Sequence, residues 1–423
     1  MRRGKCLFAM AVLFFISLPG LFAGGQKAPD SGQTPVTITW GVYETDNLTA
    51  DLWAGIISAF EADNPNIKIR KVLAAGDDRA SFWRTMQASG NFPDVVLEAE
   101  VYASIPGIFA EVPEDIIAQF DPAVLAVYGG KYITIPGMKQ LRMQCYYNKA
   151  DFAALNLREP QTWEEFLNVC RTLKAAGKVP LICGGTGDVW ATGAPYWISA
   201  ANQVLIDAYP NFNADLKSGR VKWNNPALAD ALTQWQNLVK SGYYHPGCMS
   251  FSYSQAAAEF QNGAASMMID GSWAAAGFDA AGNTGFGVFA MPNPKNLKTY
   301  CAAVSYWGVS AQSKNKEAAF AFVKYVLGGN ETIYRNYLKA DGLSSTTKKP
   351  VNYDQGPVMN KFVQNWNSYT LTPEINKVAG DLAIPIGVES FIDKSLQNIF
   401  NGAGIAGELE SWDAEYQHLL AAQ

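Results

Sequence analysis

The residues of this 423-residue chain that could do chemistry are carboxylates, aromatic rings and two pairs of adjacent tyrosines. Glu44, Glu98, Glu100, Asp188, Asp270 and Glu389 could supply the two carboxylates of a glycoside-cleaving site, which must stand roughly 5–10 Å apart. Chain spacing does not set that distance, and the same groups could hold hydroxyls without reaction. Tyr146-Tyr147 and Tyr243-Tyr244 could offer phenolates to a ferric ion. Adjacent strand residues face opposite ways, however, so one tyrosine of each pair reads more simply as core. His245 and His418 are the only histidines, which argues against a His-rich metal site. There is no Gly-x-Ser-x-Gly elbow. Gly184-Gly185-Thr186-Gly187 lacks the lysine of a phosphate loop and reads as an ordinary loop.

The elements that must position these groups are legible in the pattern. Val36–Trp40 alternates as a strand, a helix follows over about 50–62, and Ile67–Leu73 is a second strand, which is the opening of a parallel sheet. Phe82–Ala88 ends a helix, and Val95–Leu97 is a buried strand after the turn at Gly90–Pro93. Strands are also predicted over Tyr132–Pro136, Gln144–Asn148 and Ser266–Asp270. Thr162 and Glu165 form a capping box, and Asn225-Pro226 reads as an N-cap followed by proline at the first helical position. Ser254–Gln261, Asn315–Leu327 and most of Phe391–Leu420 read as helix. The class is α/β, and the length fits two lobes.

The net charge is −5, with no basic face to attract nucleic acid. Residues 1–23 read as a secretory signal: Arg2, Arg3 and Lys5, an apolar run Leu7–Leu18, and a small residue, Ala23, at the cleavage point. The run is too short to span a bilayer. Residues 24–35, rich in Gly, Gln, Lys, Pro, Asp, Ser and Thr, read as a flexible leader. Cys6 lies at the wrong end of the signal to take a lipid, so a soluble periplasmic protein and not a lipoprotein is expected. Cys145, Cys170, Cys183, Cys248 and Cys301 are odd in number and without a Cys-x-x-Cys pair, and they read as buried thiols.

Several stretches together resemble the extracellular solute-binding proteins of bacterial ABC importers, the carbohydrate-binding, maltose-binding-protein-like group. They are Phe60–Ile69, Gly90–Val96, Tyr147–Phe152, Pro160–Phe166, Phe260–Met268 with Gly271-Ser272-Trp273, and Ser313–Ala319. Their order spans about residues 36–420. The resemblance implies the two-lobed, type II periplasmic-binding-protein fold, with a ligand cleft between lobes joined by crossing segments. One lobe would comprise 36–144 plus 292–345, the other 145–291 plus 346–423. It further implies a monomer without cofactor, metal or active site, which captures a mono- or oligosaccharide by hinge closure and hands it to a membrane permease.

A sugar offers C–H faces to aromatic rings and a rim of hydroxyls to charged groups. On the resemblance, Trp273, after the Ser266–Asp270 strand, is the first candidate for ring stacking, with Asp270 beside it. Tyr43 and Glu44 follow the first strand. Glu98 and Glu100 follow the third. Trp190 lies in the Gly187–Trp190 loop, Tyr306 and Trp307 at a return crossing, and Glu389 with Phe391 in a late contact region after Ile384–Gly387. Lys139 or Arg142, in an expected hinge segment 137–142, could reach the cleft. A cationic solute such as a polyamine, held by Glu44, Glu98 and Glu100, is the alternative ligand, and a secreted glycoside hydrolase is a third reading.

Overall fold

The alternating and apolar runs assemble into two sheets. The computed structural model describes residues 35–74 and 79–422, so the signal and most of the leader lie outside the described residues. The strands are β1 (Val36–Val42), β2 (Ile67–Leu73), β3 (Val95–Leu97), β4 (Ile135–Leu141), β5 (Gln144–Asn148), β6 (Leu181–Ile182), β7 (Met267–Asp270), β8 (Phe286–Phe289), β9 (Thr299–Val309) and β10 (Thr370–Pro373). The larger sheet runs β10-β9-β3-β1-β2, with β4 also paired to β9; the smaller runs β6-β7-β5-β8. In the larger sheet β1 is parallel to β2 and β3, whereas β9 is antiparallel to β3 and β4. The return strand β9 escapes periodicity because most of its residues are buried on both faces, which erases the alternation.

Each sheet organises its own core. In the first lobe, Trp40 on β1 meets Trp53, Trp307 and Phe322 at ring-centroid distances of 5.2, 5.4 and 4.9 Å. In the second, Trp197, Trp223 and Trp412 form a triangle of 5.7–6.0 Å sides. Each such ring contributes about 1.5–3 kcal/mol by leaving water. The chain passes between lobes along β4 and β9. Cys301, near the start of β9, lies in the second-lobe core, and Trp307, near its end, lies in the first.

The structure moves several predicted boundaries. The strand expected over Tyr132–Pro136 starts only at Ile135 and continues to Leu141, so most of the expected hinge segment is paired strand. The helix expected to reach Leu327 ends its regular part at Lys324; a wider turn follows, with Gly328 at φ 127°, a conformation glycine alone adopts freely. Val351 and Tyr353 pack on the core that holds Trp40 and Trp307, while Val358 packs in the core that holds Tyr146 and Met268. β10, within the segment expected in the second lobe, pairs with β9 of the larger sheet.

Candidate functional site

A cleft of about 1360 Å³ opens where the two sheets direct their strand ends. Eight of the ten sequence-derived candidates line it: Tyr43, Glu44, Glu98, Glu100, Trp190, Asp270, Trp273 and Glu389. This follows from chain direction, since loops leaving the carboxyl ends of parallel strands gather at one edge.

The first-lobe wall is built on charge. Arg79 opens the helix Arg79–Ala88 and donates from Nε and Nη2 to Glu98 at 3.0 and 2.9 Å. Its guanidinium also lies 4.1 Å from the centre of the Tyr43 ring. Glu98 adopts φ 56°, ψ 38°, a left-handed conformation that costs a non-glycine residue energy and is held here by the ion pair it enters. Burial alone would raise the Glu98 carboxyl, but Arg79 holds it below the usual range. Glu100 accepts from the Tyr306 backbone N–H at 2.8 Å, and burial pushes it up to about 7. Glu44 is exposed at the rim and pairs with Lys71 at 2.6 Å.

The second-lobe wall is built on rings. Trp273 donates from Nε1 to the Tyr253 hydroxyl at 2.8 Å, and that hydroxyl donates to Asp270 Oδ2 at 2.8 Å. Trp190 lies 5.0 Å from the Tyr253 ring and 6.3 Å from the Trp273 ring, edge-on to the latter. Asp270 is 2% exposed, accepts also from the Gly271 N–H, and is pushed by burial up to about 7. The Trp273 ring lies over Gly271, where an added Cβ would stand 2.2 Å from the ring, so this position excludes any side chain. Trp273 and Trp190 were expected in loops; both open helices, Ser272–Ala280 and Trp190–Tyr196, and Glu389 stands in the first turn of a third, Val388–Phe400. Tyr253 likewise begins the helix Tyr253–Gln261, fixed by the capping box Ser252/Gln255.

The floor near the crossing carries two more ion pairs. Arg142 and Glu374, both almost fully buried, pair through two bonds of 2.5 and 2.9 Å. Lys377 pairs with Glu389 at 2.8 Å, and burial together with Glu389 drives the neighbouring Asp393 carboxyl well upward. One contact joins the walls: Asn47 Nδ2 donates to the Trp273 carbonyl at 3.0 Å and to Asp341 Oδ1 at 3.1 Å. Burial pushes Asp341 up to about 7.

Two candidates stand elsewhere. Trp307 is fully buried in the first-lobe core, because β9 turns that face inward. Tyr306 is also buried, its hydroxyl donating to the Val124 carbonyl at 2.8 Å; it meets the cleft through the backbone N–H that holds Glu100. Phe391 packs on the second-lobe core. Arg142 lines the cleft, whereas the Lys139 ammonium lies 5.9 Å from the Trp366 ring centre. The tyrosine pairs are engaged as structural groups. Tyr146 donates to the Gly271 carbonyl at 2.6 Å, Tyr147 to Glu159, and the Tyr244 hydroxyl accepts from Trp235. Arg79, Tyr253, Lys377 and Asp393 line the cleft without having been singled out in the sequence. The capping box before Tyr253 was a usable signal; the others carried none.

Comparison with known proteins gives the same picture. The multiple sugar-binding protein of Streptococcus mutans is 24% identical over 376 residues, covering 81% of this chain and 86% of that one. A chitin oligosaccharide binding protein superposes with a TM-score of 0.75 at 22% identity, covering 92% of this chain and all of its own. The solute-binding protein RafE in complex with raffinose superposes with a TM-score of 0.69 at 21% identity, covering 91% and 99%. These likenesses establish the type II two-lobed fold. The family model of the bacterial extracellular solute-binding proteins matches residues 45–328, about two thirds of the chain, and the protein belongs to that family.

Proposed function

We propose that this protein is the sugar-capturing subunit of an ABC importer and that it takes an oligosaccharide in preference to a monosaccharide. The observation that carries this reading is the pairing of walls across one cleft: the clustered rings of Trp190, Tyr253 and Trp273 for C–H faces, and fixed charged groups for hydroxyls. The cleft volume exceeds the roughly 300–1,000 Å³ of a pocket for a drug-sized ligand, which leaves room for more than one sugar ring. The multiple sugar-binding relative and the raffinose-bound neighbour support the same ligand class. The ligand would leave unchanged, passed to a membrane permease when the lobes reopen.

The cationic reading has less to stand on. Glu44 and Glu98 already face cations of the protein itself, Lys71 and Arg79. Export through a cleaved signal at residues 1–23, without lipid, and action as a monomer complete the proposal. Calorimetric titration with mono- and oligosaccharides tests it. Affinity should rise with chain length over the first few rings and change little between low and high salt. Binding of polyamines alone, weakening steeply with salt, would overturn the carbohydrate assignment.

A further inference from the structure

Cys183 and Cys248 lie against each other behind the aromatic wall. β6 runs beside the segment Tyr243–His245, with Leu181 N–H bonded to the Tyr243 carbonyl and His245 N–H to the Leu181 carbonyl, both at 2.8 Å. This ladder places Cys183, just past β6, next to the short turn Cys248–Ser250. The Cys183 N–H donates to Cys248 Sγ at 3.4 Å, which brings the two cysteines into direct contact. The backbones are equally close: an added Cβ at Gly185 would stand 2.7 Å from the Met249 Cα. Two of the other sulfurs are turned to carbonyls, Cys145 to Tyr146 at 3.8 Å and Cys301 to Ile198 at 3.5 Å.

We infer that Cys183 and Cys248 are joined by a disulfide once the protein reaches an oxidising extracytoplasmic compartment. Families of this kind work outside the cytoplasm, where disulfides persist. The two S–H bonds break and one S–S bond forms. The two electrons and two protons pass to an acceptor disulfide, which becomes two thiols. Both thiols are buried in the folded protein, so exchange occurs during export, before the second lobe packs. The bond ties the segment leading to Trp190 to the segment leading to Tyr253, closing a loop that holds the helices Trp190–Tyr196, Asn202–Ala208, Phe212–Lys217 and Pro226–Lys240.

The test is to recover the unmutated protein from an oxidising compartment, denature it with iodoacetamide and no reductant, and map its peptides by mass spectrometry. Cys145, Cys170 and Cys301 should be alkylated, with the peptides of Cys183 and Cys248 joined. Five alkylated cysteines, or a bridge between any other pair, would overturn the inference. Reductant should lower the thermal midpoint by roughly 5 °C or more, and should leave Cys183→Ser and Cys248→Ser variants unmoved. An equal shift in those variants would also overturn it; if they do not fold, peptide mapping of the unmutated chain decides alone.

Discussion

The two walls of the cleft reach rigidity by different means. On the first-lobe side, Arg79, Glu98 and Tyr43 hold one another by charge, and Glu100 is held by a backbone N–H from β9. On the second-lobe side, a hydroxyl relay from Trp273 through Tyr253 to Asp270 orients the rings that the proposed function makes the binding surface. The first arrangement leaves polar atoms facing the cleft with their geometry set in advance. The second presents flat aromatic area, with the Asp270 carboxyl held behind it by Tyr253. A sugar needs both, since its ring faces are apolar and its edge is not. The difference teaches that the aromatic wall should dominate affinity and the charged wall should dominate discrimination.

The largest test of that contrast is Trp273→Ala. The ring is half-exposed to the cleft, so its loss should cost about 2–4 kcal/mol of binding, as for a central anchor aromatic, while the thermal midpoint moves little. Intact affinity with a collapsed melt would make the ring core instead. Next comes Tyr253→Phe, which leaves Trp273 Nε1 and buried Asp270 each short of a partner. Titration calorimetry should show about 1–2 kcal/mol lost, with the ring surface itself still present.

Arg79→Met probes the opposite wall. The arginine is partly solvated, so the expected loss is near 1 kcal/mol, and it should appear as weakened preference among sugars differing at one hydroxyl. A uniform loss across such sugars would remove the division of labour. The smallest effect concerns pH. Glu100 and Asp270 titrate near 7 in the folded protein and lower when unfolded, so the folded state binds more protons between about pH 4 and 7. Their contribution to stability is therefore complete below the unfolded value and lost as pH rises through 7. Melts of Glu100→Gln across pH 5–8 should fall less steeply than those of the parent protein; parallel curves would contradict the raised Glu100 value.

Much of this was readable in the chain, and the reasons for success and failure are physical. The capping boxes at Thr162/Glu165 and the Asn225-Pro226 start are local hydrogen-bond arrangements, and they appear where the sequence places them. Tyr43, Glu98 and Asp270 were found because a strand end is a local feature and α/β sheets aim strand ends at one edge. Trp307 was misplaced because which way a residue on β9 faces depends on its partners β3 and β4, far away in sequence.

What the sequence by itself determined is the succession of strands and helices, which follows from periodicity, caps and turns within short windows, and, through the resemblance of several such stretches to a known family, the neighbourhoods expected to supply the cleft. What only the tertiary structure decided is the pairing. Arg79 finds Glu98, Trp273 finds Tyr253, and Asn47 reaches the Trp273 carbonyl across 226 positions of chain. Such partners are chosen by the packing of sheets and helices that are distant in sequence, and desolvation there, not residue type, sets which carboxylates hold their protons near neutrality.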